Sequence, residues 1–164
     1  MKKIILVLLV LIISNSVTFM VANKESLEED FLDFHGRWIL IQDEEEELVM
    51  SLFESVTGEN FQNDEILYET LTQEIIPRHT LYQQIYSNIN YKHFDTEEVQ
   101  DLVNNYQNAL GSRLGAFNLL KKGIEQNDEE LKNRAYESIG SSIETIEEFY
   151  EIYNELQREY APRV

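Results

Sequence analysis

The chain contains no cysteine, which excludes disulfides, thiolate metal sites and a cysteine nucleophile. It also excludes the acylated cysteine of a lipoprotein, so any membrane attachment has to come from the peptide itself. Basic residues are scarce, 13 against 31 acidic ones, and the formal net charge is -18. Such a chain has no electropositive footprint, which argues against nucleic-acid binding through phosphates and against anionic lipid headgroups. Basic proteins and divalent cations are the partners its charge favours. No segment shows the alternation of a half-buried strand, and there is no internal repeat.

Signatures of chemistry are missing too. A di-iron bundle needs Glu-x-x-His on two helices, but Leu32, Ile76 and Asn90 stand three residues before His35, His79 and His93. His-Glu-x-x-His, Gly-rich phosphate loops and the Gly-x-Ser-x-Gly elbow are absent. The acid run Asp43-Glu44-Glu45-Glu46-Glu47 lacks the alternating layout of a calcium loop. No cofactor, resident metal or catalytic set is expected, and the chain reads as non-enzymatic.

What is present is hydrophobic pattern. Residues 1–22 start with Lys2-Lys3, continue through the apolar run Ile4 to Ile13, break at Ser14-Asn15-Ser16 and resume at Phe19 to Ala22. This layout fits a cleavable signal peptide with small residues at the cut, or a 4–22 membrane anchor just long enough to span the hydrocarbon core. Either way residues 24–164 are expected outside the cytoplasm, because the flanking positive cluster precedes the apolar run.

The rest of the chain is organised around Asp95 to Tyr160, which reads as two long amphipathic helices. Val99, Leu102, Val103, Tyr106, Leu110, Leu114, Phe117, Leu120 and Ile124 form one stripe about 120° wide. Leu131, Ala135, Ile139, Ile146, Phe149, Tyr153, Leu156 and Tyr160 form the other. Asp95-Thr-Glu-Glu98 is a capping-box signal for the first, Asn127-Asp-Glu-Glu130 joins and opens the second, and Pro162 stops it. Upstream, Leu27, Phe31, Phe34, Trp38, Ile41, Leu48 and Leu52 mark a helix from about Glu25 to Val56. A second helix starts at Asn63-Asp64, carries Leu67, Leu71, Ile75, Leu81, Tyr82, Ile85 and Ile89, and contains Pro77, where a kink is expected. Five consecutive acids wrap more than one helical turn. The first helix therefore either breaks at Asp43–Glu47 or turns a glutamate inward. The expected fold is an all-α, up-down-up-down antiparallel four-helix bundle.

Two groups break the pattern. At 100° per residue, Glu45, Arg78 and Arg113 fall at the centres of apolar stripes or on the core side, with Glu74 one turn before Arg78 and Ser138 and Ser142 on the core side of the last helix. These residues are expected to form a mid-bundle polar layer, because a lone buried charge costs several kcal/mol, or to line a pocket for a small anionic ligand or cation. Asn104, Asn108, Gly111 and Gly115 share the face opposite the core stripe. Small residues at spacing four admit another backbone, so this is the candidate docking face for a partner helix or for a second copy in a homodimer. The expected function is that of an accessory, modulator or immunity-type protein acting through protein contacts, its partner basic or membrane-associated.

Overall fold

The computed structural model describes residues 24–40 and 45–161, without the side chains of Glu45 and Glu46. The expectations for residues 1–22, Ile41, Pro162, the path across Asp43–Glu47 and an inward Glu45 fall outside these residues. Among the described residues there is helix and turn but no strand. The helices are α1 (24–40), α2 (Glu45–Ser55), α3 (64–86), α4 (Glu97–Gln126) and α5 (Glu129–Tyr160). None of the described helices is long and apolar enough to cross a membrane.

Two apolar clusters hold the helices together. The first is aromatic: Phe31, Phe34 and Trp38 of α1 meet Tyr82 and Tyr86 of α3, Tyr106 of α4 and Phe149 and Tyr153 of α5. Ring centroids lie 4.3 Å apart for Tyr106–Phe149, 4.5 Å for Tyr86–Tyr106 and 5.2 Å for Trp38–Phe149. Such pairs add roughly 0.5–1.5 kcal/mol each beyond area burial. The second cluster is largely aliphatic, with Val49 and Phe53 of α2 and Val56 just after it, Leu67, Leu71 and Ile75 of α3, Ala116, Phe117 and Leu120 of α4, and Ala135 and Ile139 of α5. Tyr82 and Tyr106 are buried, their Oη atoms 3.0 Å apart.

In α2 the inward residues are Val49 and Phe53, with Val56 just beyond its end, whereas Leu48 is 40% exposed. The expected positions Leu48 and Leu52 follow a strict heptad. An α-helix drifts about 20° per heptad against that repeat, and Phe53 brings the larger apolar surface to the core.

α3 departs most from expectation. It is α-helical over Asp64–Thr70, widens to a π-helical turn at Leu71–Ile75, and resumes as α-helix at Ile76–Tyr86. Pro77 follows directly. Its ring cannot donate a hydrogen bond and crowds the carbonyl four residues back, and widening the preceding turn accommodates both. The π turn advances fewer degrees per residue, so the downstream helix lags by about 90°. His79, Tyr82 and Tyr86 therefore turn inward, while Leu81 is 58% exposed.

Both ends of α4 are held by carboxylates or special backbone. The expected Asp95 capping box does not form: Thr96 is the N-cap residue and makes no side-chain cap. Instead Asp30 of α1 reaches across, its Oδ2 accepting from Asp95 N (2.8 Å), Thr96 N (2.6 Å) and Thr96 Oγ1 (2.8 Å). A charged acceptor satisfies the amides of the N-cap residue and its predecessor, and it also ties α1 to α4. At the other end Asn127 adopts the left-handed conformation (φ 50°). Asp128 N donates to Gly123 O at 2.8 Å and Asn127 N to Ile124 O at 3.1 Å, a Schellman closure. The N-cap of α5 is thus Asp128, accepting from Leu131 N at 3.1 Å, and not Asn127. Gly123 permits the tight hairpin: a Cβ there would lie 2.8 Å from Lys132 Cγ and 3.0 Å from Lys132 N.

Candidate functional site

Between the two apolar clusters lies a buried polar centre. Arg113 of α4 is 1% exposed and its Nε donates to Ser142 Oγ of α5 at 3.1 Å, while that hydroxyl donates to Ile139 O at 2.7 Å. His79 of α3 is fully buried, donates from Nε2 to Leu110 O at 3.0 Å and stands edge-on to Phe117. Burial, followed by the nearby Arg113 charge, pushes the imidazole down to about 4, against the upward pull of the Leu110 carbonyl. His79 Nδ1 has no hydrogen-bond partner among the described residues.

This centre brings together Arg113 and Ser142, as the helical phase indicates, but not Glu74 or Arg78. Both are exposed, because the π turn rotates Arg78 off the stripe and His79 onto it. Ser138 is half-buried and faces a small groove instead. His79 enters the sequence reading solely as a missing metal motif. Its spacing of four from Ile75, continuing Leu67-Leu71-Ile75, is the signal that identifies it once a wide turn before Pro77 is allowed.

A second feature is the outer α4–α5 surface. A groove of about 220 Å³ runs between the helices, lined by Asn105, Asn108, Ala109, Ser112, Ser138, Ser141, Ser142 and Thr145, none of them charged. Of the four residues assigned to the docking face, Asn108 and Gly115 are exposed, and Asn104 and Gly111 are half-buried. A Cβ on Gly111 would meet Gln83 Nε2 of α3 at 3.2 Å, whereas one on Gly115 would meet nothing within 4 Å. Gly111 thus accommodates α3 as well, and Gly115 is the open position.

The third feature has no counterpart in the sequence reading. A cleft of about 670 Å³ lies between the α2–α3 connection and the start of α5, lined by Gly58, Phe61, Gln62, Asn63, Asp64, Glu129, Lys132, Asn133 and Tyr136. Gly58 takes the positive φ of 56° that lets the connection turn. Lys132 Nζ sits 3.1 Å from Asp64 Oδ2 and 2.5 Å from Glu129 Oε1. These carboxylates raise the lysine above its ordinary range, the Glu129 hydrogen bond most. Burial, with the Asp64 charge, raises the Tyr136 phenol. An apolar residue in a turn (Phe61) and a tyrosine one step off its stripe (Tyr136) are the signals that mark the cleft. Among the described residues, no group of three or more His, Asp or Glu is placed to hold a metal ion.

No protein-family model matches the chain, and neither a curated protein nor a solved structure does.

Proposed function

We propose that this chain is a non-enzymatic, extracytoplasmic helical-bundle protein that acts through protein contacts on its α4–α5 surface. On this reading α1 and α2 form one arm, and with α3, α4 and α5 they make an up-down-up-down four-helix bundle. The alternation of the two apolar clusters along the chain supports that topology: α1 contributes to the first and α2 to the second, and the halves of α3, α4 and α5 then alternate. Residues 1–22 direct the chain out of the cytoplasm, as a cleaved signal or a retained anchor.

The observation that carries the docking reading is the uncharged strip. In a chain of net charge -18, Asn104, Asn105, Asn108, Gly111, Ser112 and Gly115 face outward or half-outward on α4. Ser138, Ser141 and Thr145 border the same groove on α5. Small neutral side chains let a partner helix approach closely without desolvating charge.

Site-specific photo-crosslinkers test this in the cells that make the protein. A discrete adduct from Gly115 and Ser141, absent from a probe at Glu148, is the expected result. No adduct, or equal adducts at all three positions, overturns the strip as the contact surface. An adduct of twice the chain's mass identifies a second copy as the partner.

A further inference from the structure

We propose that the cleft between the α2–α3 connection and the first two turns of α5 binds an arginine-bearing peptide segment, seating a guanidinium between the Phe61 and Tyr136 rings and the carboxylates of Asp64 and Glu129. This site is separate from the α4–α5 strip. Tyr136 and Ser138 stand two residues apart on α5 and so point about 200° apart around the helix.

The volume, about 670 Å³, lies inside the range of roughly 300–1,000 Å³ typical of ligand sites and exceeds what one side chain fills. The walls are the second observation. Phe61 is 47% exposed and Tyr136 38% exposed, so two aromatic rings open onto the same hollow, and ring faces attract cations. Charge is the third. Asp64 and Glu129 carry two negative charges against one positive charge from Lys132, leaving the lining net negative. Each carboxylate engages Lys132 through one oxygen, Oδ2 of Asp64 and Oε1 of Glu129. The second oxygen of each remains to accept an N–H of a guanidinium, which carries five such donors.

Lys132 fixes this arrangement. It is the least exposed of the three charged groups, with 12% of its side chain accessible, against 38% for Asp64 and 74% for Glu129. Its stem lies where a Cβ on Gly123 would be. The ammonium therefore pairs with both carboxylates before a ligand arrives, half-buried Asp64 and more exposed Glu129, which reduces the ordering cost of binding. The exposed carboxamides of Gln62 and Asn133 supply neutral donors and acceptors at the rim, suited to a peptide backbone.

The test uses the full chain and an acetylated, amidated tri-arginine peptide, with the neutral tri-citrulline peptide and free arginine amide as comparisons. Binding is followed by NMR shifts of the Gln62 and Asn133 side-chain amides and the Phe61 and Tyr136 rings. Saturable tri-arginine shifts confined to these residues, and none with tri-citrulline, are expected. Tyr136→Ala and Phe61→Ser, both at exposed positions, are each expected to weaken binding about ten-fold, while Glu148→Gln leaves it unchanged. Shifts spread over the acidic surface, or wild-type affinity retained in Tyr136→Ala and Phe61→Ser, overturn the site. Equal affinity for free arginine amide overturns the assignment to a peptide. Because the crosslinking test reports on Gly115 and Ser141, failure of either proposal is distinguishable from failure of the other.

Discussion

His79 makes this protein acid-sensitive in a calculable way. The imidazole is fully buried beside Arg113 and held down to about 4, against about 6.5 for an unfolded histidine. The unfolded state therefore binds the proton first. The stability contributed by a neutral His79 is fully present above pH 6.5, is lost progressively as pH falls below that value, and is gone below pH 4. Linkage puts the loss at about 2 kcal/mol by pH 5 and about 3 kcal/mol near pH 4. For a small domain losing about 2 kcal/mol per molar urea, the pH 7 to pH 5 step lowers the unfolding midpoint by about 1 M. Overall stability carries other pH-dependent contributions, so the measurement is a difference between two proteins. His79→Gln keeps a side-chain N–H for Leu110 O but has no proton to gain. The wild type is expected to lose about 2 kcal/mol more than His79→Gln between pH 7 and pH 5. Equal losses refute the buried neutral histidine, as does an NMR titration giving His79 a folded midpoint above 6.

Two glycine substitutions carry opposite signs. Gly115→Ala meets nothing within 4 Å and is expected to stabilise by about 1 kcal/mol through helix propensity, measured as a rise in Tm. Gly123→Ala makes the same propensity gain but presses on Lys132 Cγ and backbone N at 2.8 and 3.0 Å, so overpacking of about 1–3 kcal/mol leaves it destabilised; a rise in Tm contradicts the hairpin geometry. Asp30→Ala removes the acceptor of the hydrogen bonds from Asp95 and Thr96 and is expected to cost about 2 kcal/mol, with faster hydrogen exchange at the Thr96 amide. Asp30→Asn retains an acceptor oxygen and should lose about half as much. Unchanged exchange at Thr96 in Asp30→Ala excludes the cross-helix cap.

Much of the fold is legible because helical periodicity is a direct projection of burial. The stripes of α4 and α5 predict Val99, Leu102, Val103, Tyr106, Leu110, Phe117 and Leu120, and Ala135, Ile139, Ile146, Phe149 and Tyr153, and these are buried. Arg113 and Ser142, polar residues on those stripes, are where the phase puts them. The expectations that fail do so where a local event changes the phase or where the partner is distant in sequence. A single π turn before Pro77 exchanges Arg78 for His79, because periodicity read at a fixed 100° cannot register a widened turn. Asp95 looks like a cap by itself, but Asp30, 65 residues earlier, occupies that role, and no local pattern encodes such a contact. The Phe61–Tyr136 cleft is assembled from a turn and a helix flank, neither of which carries a periodic signal.

The distribution of charge links these observations. α5 carries Glu144, Glu147, Glu148, Glu151 and Glu155, so its C-terminal half repels a second acidic surface at short range. Between Arg134 and Glu147 the groove-facing positions are Ser138, Ser141, Ser142 and Thr145, and opposite them on α4 are asparagine, serine and alanine. A merely soluble acidic helix pair has no reason to cluster its uncharged small residues at the middle of an outward face, since asparagine, glycine and serine all cost helix propensity relative to glutamate or lysine. Summed over Asn104, Asn105, Asn108, Gly111, Ser112 and Gly115 the cost is about 2–3 kcal/mol. Gly111 recovers part of it by admitting Gln83. The remainder has no intramolecular return among the described residues, and close approach by a partner is the return that the proposed contact supplies.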